Sequence, residues 1–157
     1  MHSSFVTEAG ELYVCGNGNE GQLGLGKKTR EYTPKQVTRT LEPVAMVACG
    51  IFHTCYVTRS GQVYGMGGNN FGQLGNGTKK RSLVPILCKT LIGKRVASIS
   101  CGHHSAAVTE EGELFVWGTG VFGEYLTPQR FAPSGNKSKQ SFITVSIGGT
   151  FGAAVST

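Results

Sequence analysis

The chain has 157 residues, a formal net charge of +6 and 24 glycines, about 15% of the sequence against a usual share near 7%. Charged residues make up only 15%, which excludes a charge-rich disordered segment, and glycine at this density excludes a mainly helical protein, since each one costs roughly 1 kcal/mol relative to alanine in a helix interior. No apolar run approaches the ~20 residues of a membrane span, no Gly-X-Y period marks collagen, and all nine acids are glutamate.

Taken in chain order, short β-favouring runs dominate. FVT at 5–7 and ELYVC at 11–15 are joined through a turn ending at Gly10, which reads as a hairpin. A glycine-rich loop, GQLGLG, follows at 21–26, then a strand expected just after Pro34 and another over 44–49. The same order returns: CYVT and QVYGM around Gly61, GQLGNG at 72–77, a strand after Pro85, and one over 95–100. It returns again with AAVT and ELFVW around Gly112, a strand over 143–147, and a last run, FGAAVST, from Phe151. Proline is tolerated at a strand start or on an edge, so the Pro-led segments suit the outermost strand of a small sheet.

The period is 51 residues. Gly10, Gly61 and Gly112 align without gaps, as do Gly16, Gly67 and Gly118, then Gly21, Gly72 and Gly123. HSSFVT at His2, HTCYVT at His53 and HSAAVT at His104 form a second repeated block. Four short antiparallel strands per ~50 residues make one propeller blade. The combination of G-x-[LV]-[YF]-x-x-G, G-Q-L-G-x-G and an upstream CG-x-x-H-[ST] segment resembles the repeat of the regulator of chromosome condensation family. That resemblance implies an all-β fold, an arc of three four-stranded blades from a ring of seven. The repeat phases run over roughly 1–49, 50–101 and 102–147, with a final strand in 148–157. The missing blades are expected from the rest of a longer chain or from other copies.

Several motifs tempt and fail. Gly16-x-Gly18-x-x-Gly21 and Gly118-x-Gly120-x-x-Gly123 match a dinucleotide fingerprint, but turn-forming residues follow where a helix must open to meet a pyrophosphate, so no cofactor is expected. His53 and His104 recur at one phase and read as structural residues bonded within the blades. Cys15, Cys49, Cys55, Cys88 and Cys101 show no C-x-x-C spacing, so spacing indicates neither a disulfide framework nor a metal site. Without aspartate, and with its glutamates set mainly in turns, the chain offers no nucleophile and base pair and reads as non-enzymatic.

Basic residues carry more information. Lys27, Lys28 and Arg30 follow the first GQLG loop, and Lys79, Lys80 and Arg81 follow the second, so both runs are expected near one rim. The third repeat departs from the pattern, reading GEYLTP, and its Phe122, Tyr125 and Arg130 are expected on a divergent, specificity-bearing loop. The resemblance implies a scaffold propeller that binds another protein through such loops. Its alternatives are nucleotide exchange on a small Ran-like GTPase and chromatin or nucleic-acid docking through the basic loops. The expected compartment is cytoplasmic, cytoskeletal or ciliary, with the nucleus open and secretion excluded.

Overall fold

A computed structural model describes residues 1–120, 123–132, 141–149 and 151–157. Thirteen strands form four separate antiparallel sheets, and the described residues add a single turn of 3-10 helix at Lys89–Leu91. Blade 1 holds β1 (His2–Val6), β2 (Leu12–Asn17) and β3 (Arg30–Gln36) in spatial order 1-2-3. Blade 2 runs β4 (Val44–Cys49), β5 (His53–Thr58), β6 (Val63–Gly67), β7 (Ser82–Leu87). Blade 3 repeats that order with β8 (Val96–Cys101), β9 (Ser105–Thr109), β10 (Leu114–Gly120) and β11 (Gly123–Phe131). Blade 4 contributes β12 (Phe142–Ile147) and β13 (Gly152–Ser156). The fold is the expected propeller arc, divided differently: two complete blades stand between a three-stranded and a two-stranded one. Sheets cut across the sequence repeats because the innermost strand, such as 44–49, pairs with the strand that follows it.

Each blade buries two faces, so alternate residues of one strand point into successive cores. Leu12 and Val14 of β2 meet Tyr56, Tyr64 and Met66 of blade 2, with Tyr56 and Tyr64 stacked at 5.2 Å. One blade on, Val57 and Val63 meet Ala107, Phe115 and Trp117. Ala106, Val108, Leu114 and Val116 then meet Val145 of blade 4. Burying each such aliphatic side chain contributes about 1.5–3 kcal/mol, so cohesion lies between the sheets rather than inside any one of them. The end faces carry the same phases uncovered: Phe5 of blade 1 is 51% exposed and Val155 of blade 4 is 55% exposed.

The repeated turn glycines set the blade spacing. Gly10 and Gly61 have φ of +86° and +85°, and a Cβ on either would meet the chain entering the next blade, at Pro43 Cβ (2.6 Å) or Arg95 Cα (2.8 Å). Their carbonyls accept from Val44 N at 2.8 Å and Val96 N at 3.3 Å, the first residues of the next innermost strands. The outer strands begin before their prolines instead of after them. Pro34 and Pro85 fall where the pairing of β3 on β2 and of β7 on β6 slips, so a missing N–H breaks no ladder bond there.

Candidate protein interaction rim

The loops after β2 and β6 lie on the same rim, since Gly21 of the first lies against Ser82 and Leu83, where β7 starts at the end of the second, and Glu20 of the first bonds Arg81 of the second. Each loop reaches over to the next blade. Gly26 N donates to the Leu83 carbonyl at 2.8 Å and Gly77 N to the Leu126 carbonyl at 2.9 Å, while Leu23 and Leu74 are buried beneath the turns. Gly21 and Gly72 lie against the neighbouring outer strand, where a Cβ would come within 2.7 Å of Leu83 or Leu126. Asn69, fully buried, ties the second loop together: its Nδ2 donates to the carbonyls of Thr78 (2.8 Å) and Lys80 (3.0 Å), and its Oδ1 accepts from Leu74 N (2.9 Å). Its first-repeat counterpart is Gly18, so periodicity alone did not single it out.

Under these loops His2 and His53 clasp one blade to the next, which corrects the expectation that the repeated histidines bond within a blade. Thr54 Oγ1 donates to the Gln22 carbonyl at 2.8 Å, and Ser105 Oγ donates to the Gln73 carbonyl at 2.9 Å. Each hydroxyl has spent its proton, so it accepts from the Nε2–H of His2 (2.6 Å) or His53 (2.7 Å). One blade thus grips its neighbour's hydroxyl from two sides. His104 has no such partner among the described residues: both its ring nitrogens are buried and bond none of them. The residue at the corresponding phase of blade 4 is Gly152, which has no hydroxyl. Burial lowers the pKa of His104, and it drives His2 down to about 4, with the nearby His53 adding to the effect.

The basic runs divide into paired and unpaired members. Lys27 Nζ lies 3.6 Å from Glu31, Arg81 lies 2.9 Å from Glu20 of the preceding blade's loop, and Lys79 bonds Glu124 of the following blade. Lys28, Arg30 and Lys80 are exposed and join no ion pair among the described residues. Phe52 and Phe71, each 50% exposed, flank a cleft of about 150 Å³ that Glu20, Asn69 and Asn70 also line. Neither phenylalanine was singled out from the sequence. The available signal was a large apolar residue beside a repeated loop glycine, and Phe71 shares its phase with Phe122, which lies outside the described residues.

The third repeat corrects two expectations. Gly123 opens β11 and pairs with Gly120, so it sits in a strand and not in a GQLG loop and does not share the contacts of Gly21 and Gly72. Tyr125 and Arg130 do not share one loop either. Tyr125 pairs with Gly118 near the loop rim, whereas Arg130 pairs with Phe115 at the other end of the strand. There Arg130 Nε lies 3.3 Å from Glu113, which also bonds Lys94, at the mouth of a cleft of about 520 Å³ on the opposite rim.

The seam between blades 2 and 3 also gathers thiols. One ring nitrogen of His53 and the sulfurs of Cys55 and Cys101 lie within 4.8 Å of one another, all buried. The hydrogen bond to Cys101, together with burial, pushes the Cys55 thiol well up. Burial opposes ionisation of Cys101 too, but hydrogen bonds with Cys55, His53 and Ser105 and the electrostatic influence of the nearby His53 ring outweigh it and hold Cys101 below the ordinary thiol value.

Blades clasped by repeated loops define a repeat propeller. The Regulator of chromosome condensation (RCC1) repeat matches residues 9–57 and 60–108, and a second description of that repeat matches 44–73; the chain belongs to this family. It is similar to the ultraviolet-B receptor UVR8 of Arabidopsis thaliana, 42% identical over 125 residues that cover 78% of this chain and 28% of that protein. It is also similar to the X-linked retinitis pigmentosa GTPase regulator of Canis lupus familiaris, 42% identical over 127 residues that cover 78% of this chain and 13% of that protein. Among solved structures, human WBSCR16 superposes with a TM-score of 0.89 at 27% identity, covering 99% of this chain and 43% of that one. The chain therefore spans less than a third of the length of these two relatives.

Proposed function

We propose that this chain is an arc of a closed seven-bladed propeller whose GQLG rim docks an acidic segment of a partner protein. The observations that support the reading are two half-exposed aromatics, Phe52 and Phe71, flanking one cleft, and three exposed cations of the loop segments, Lys28, Arg30 and Lys80, that join no ion pair among the described residues. Aromatic anchors beside an arginine are the composition of interface hot spots, and unpaired cations steer an acidic partner. The role is binding rather than catalysis, and no cofactor enters it. Nucleic-acid docking has less support, because cations at a nucleic-acid surface are usually free to meet phosphates and half of these are spent on glutamates.

A second reading, regulation of a small GTPase, draws on the name of the GTPase-regulator relative. It is the weaker one, because the rim carboxylates Glu20, Glu31 and Glu124 are each held by a basic residue of this chain. One set of measurements separates the readings. Binding of an acidic peptide library by the purified protein should weaken about tenfold or more when Phe52 and Phe71 become alanine. It should weaken uniformly, with a shallower salt dependence, when Lys28, Arg30 and Lys80 become glutamine. Peptide binding that ignores both sets of changes overturns the docking surface. Accelerated release of labelled GDP from a small GTPase at catalytic amounts of protein supports the second reading.

A further inference from the structure

We propose that His53, Cys55, Cys101 and Ser105 form a binding site for one divalent, thiophilic metal ion of the zinc class, set in the seam between blades 2 and 3. Three of the donors already lie within 4.8 Å of one another and are buried. Ser105 Oγ supplies a fourth, 2.7 Å from His53 Nε2 and 3.7 and 3.9 Å from the sulfurs of Cys101 and Cys55. Donors around a tetrahedral zinc, at bond lengths of about 2.0–2.3 Å, stand roughly 3.3–3.8 Å apart. Side-chain shifts of about 1 Å or less convert one arrangement into the other.

Charge selects the ion. Two thiolates cancel a divalent charge, so the loaded site is neutral in a seam where net charge would be costly, whereas a monovalent ion would leave a buried negative charge. Binding balances as two metal–sulfur, one metal–nitrogen and one metal–oxygen bond formed, two thiol protons released to solvent, and the His53 proton moved from Nε2 to Nδ1 as its hydrogen bond to Ser105 is given up, so affinity rises with pH. Ser105 keeps its proton on the Gln73 carbonyl, which orients a neutral oxygen donor from outside the ligand set.

Comparison along the chain separates this site from ordinary repeat packing. The phase of Cys55 carries Ser4 one junction earlier and Ala106 one junction later; that of Cys101 carries Cys49 and Gly148; that of Ser105 carries Thr54 and Gly152. Two sulfurs, an imidazole and a hydroxyl meet at the middle junction alone of these three.

Cobalt titration of the purified, reduced protein tests the site. One equivalent of Co²⁺ per chain is expected to produce thiolate-to-cobalt charge-transfer absorption together with the visible bands of tetrahedral cobalt, both abolished by equimolar Zn²⁺. Cys55→Ser is the diagnostic variant, because it recreates the Ser4 and Cys49 pair that the first junction holds at 2.9 Å, so the fold has a precedent for it. That variant should lose about half of the charge-transfer intensity and bind cobalt about tenfold or more weakly, with its circular dichroism unchanged. Absence of the charge-transfer band in the folded wild type, or its survival unaltered in Cys55→Ser, overturns the proposal.

Discussion

In the seam between blades 2 and 3, His53 donates to Ser105, Ser105 donates to Gln73, and Trp117 Nε1 donates to the same Gln73 carbonyl at 2.9 Å. In the seam between blades 3 and 4, the matching imidazole, His104, bonds none of the described residues; Gly152 stands at the hydroxyl phase, and the strands β10 and β11 stay paired as far as Gly120 and Gly123 where the earlier repeats have a GQLG loop. Both seams share an apolar core of similar design, since Ala107, Phe115 and Trp117 fill one and Val108, Leu114 and Val116 the other. The repeat therefore separates two jobs. Apolar alternation brings blades together, and a polar clasp under the GQLG loop fixes how they sit.

The comparison can be broken most forcefully at its largest side chain. Trp117 is fully buried and also holds the Gln73 carbonyl, so Trp117→Ala should destabilise the protein by about 3–5 kcal/mol in denaturant titration. Ser105→Ala strips the clasp while sparing the core; leaving His53 unpartnered should cost about 1–3 kcal/mol, while the matching change at the fourth blade, Gly152→Ala, removes no hydrogen bond. Acid acts instead on the first junction, where charging the largely buried His2 costs stability while its Nε2–H donor stays in place. His2 is neutral in the fold, with a pKa near 4 against about 6.5 unfolded, so the unfolded chain takes up the proton. Stability should be full above pH 6.5 and fall between pH 6.5 and 4, with a slope below the ~1.4 kcal/mol per pH unit of one proton, and denaturation midpoints measured across that window check it.

The converse experiment builds a clasp. Gly152→Ser places a hydroxyl at the phase that Thr54 and Ser105 hold and, if it reaches His104, should raise stability by about 0.5–1.5 kcal/mol once Ile147 Cδ1, 2.5 Å from the new Cβ, rotates aside. An unchanged melting curve would mean that the missing loop, and not the missing hydroxyl, governs that seam. The smallest effect is expected on the rim, where Arg81→Ala removes a half-exposed ion pair with Glu20 and should shift stability by less than about 1 kcal/mol.

Periodicity made much of this legible in the sequence. The 51-residue spacing of Gly10, Gly61 and Gly112 marks turns that the fold uses to meet the next blade, and the alternation in ELYVC, QVYGM and ELFVW follows the two buried faces of a propeller strand. Residues outside the repeat were harder to read. Phe52 and Phe71 are ordinary apolar residues until their half-exposed faces are seen, and Asn69 matters because three backbone groups converge on it. Arg130 looked like a loop residue near Tyr125 because linear distance hides that a strand of nine residues, Gly123–Phe131, carries its two ends to opposite rims.

By itself the sequence determined the architecture: glycine phase and strand alternation are local properties, and hydrophobic burial makes one repeat cohere with the next. Tertiary structure decided what meets across the seams. Cys55 and Cys101 are 46 positions apart and show no ligand spacing, yet they converge on His53 because adjacent blades bring the second strand of one sheet against the innermost strand of the next. The partition of cations was decided in the same way, since whether a lysine on the rim is free or spent depends on a glutamate that arrives from the neighbouring blade.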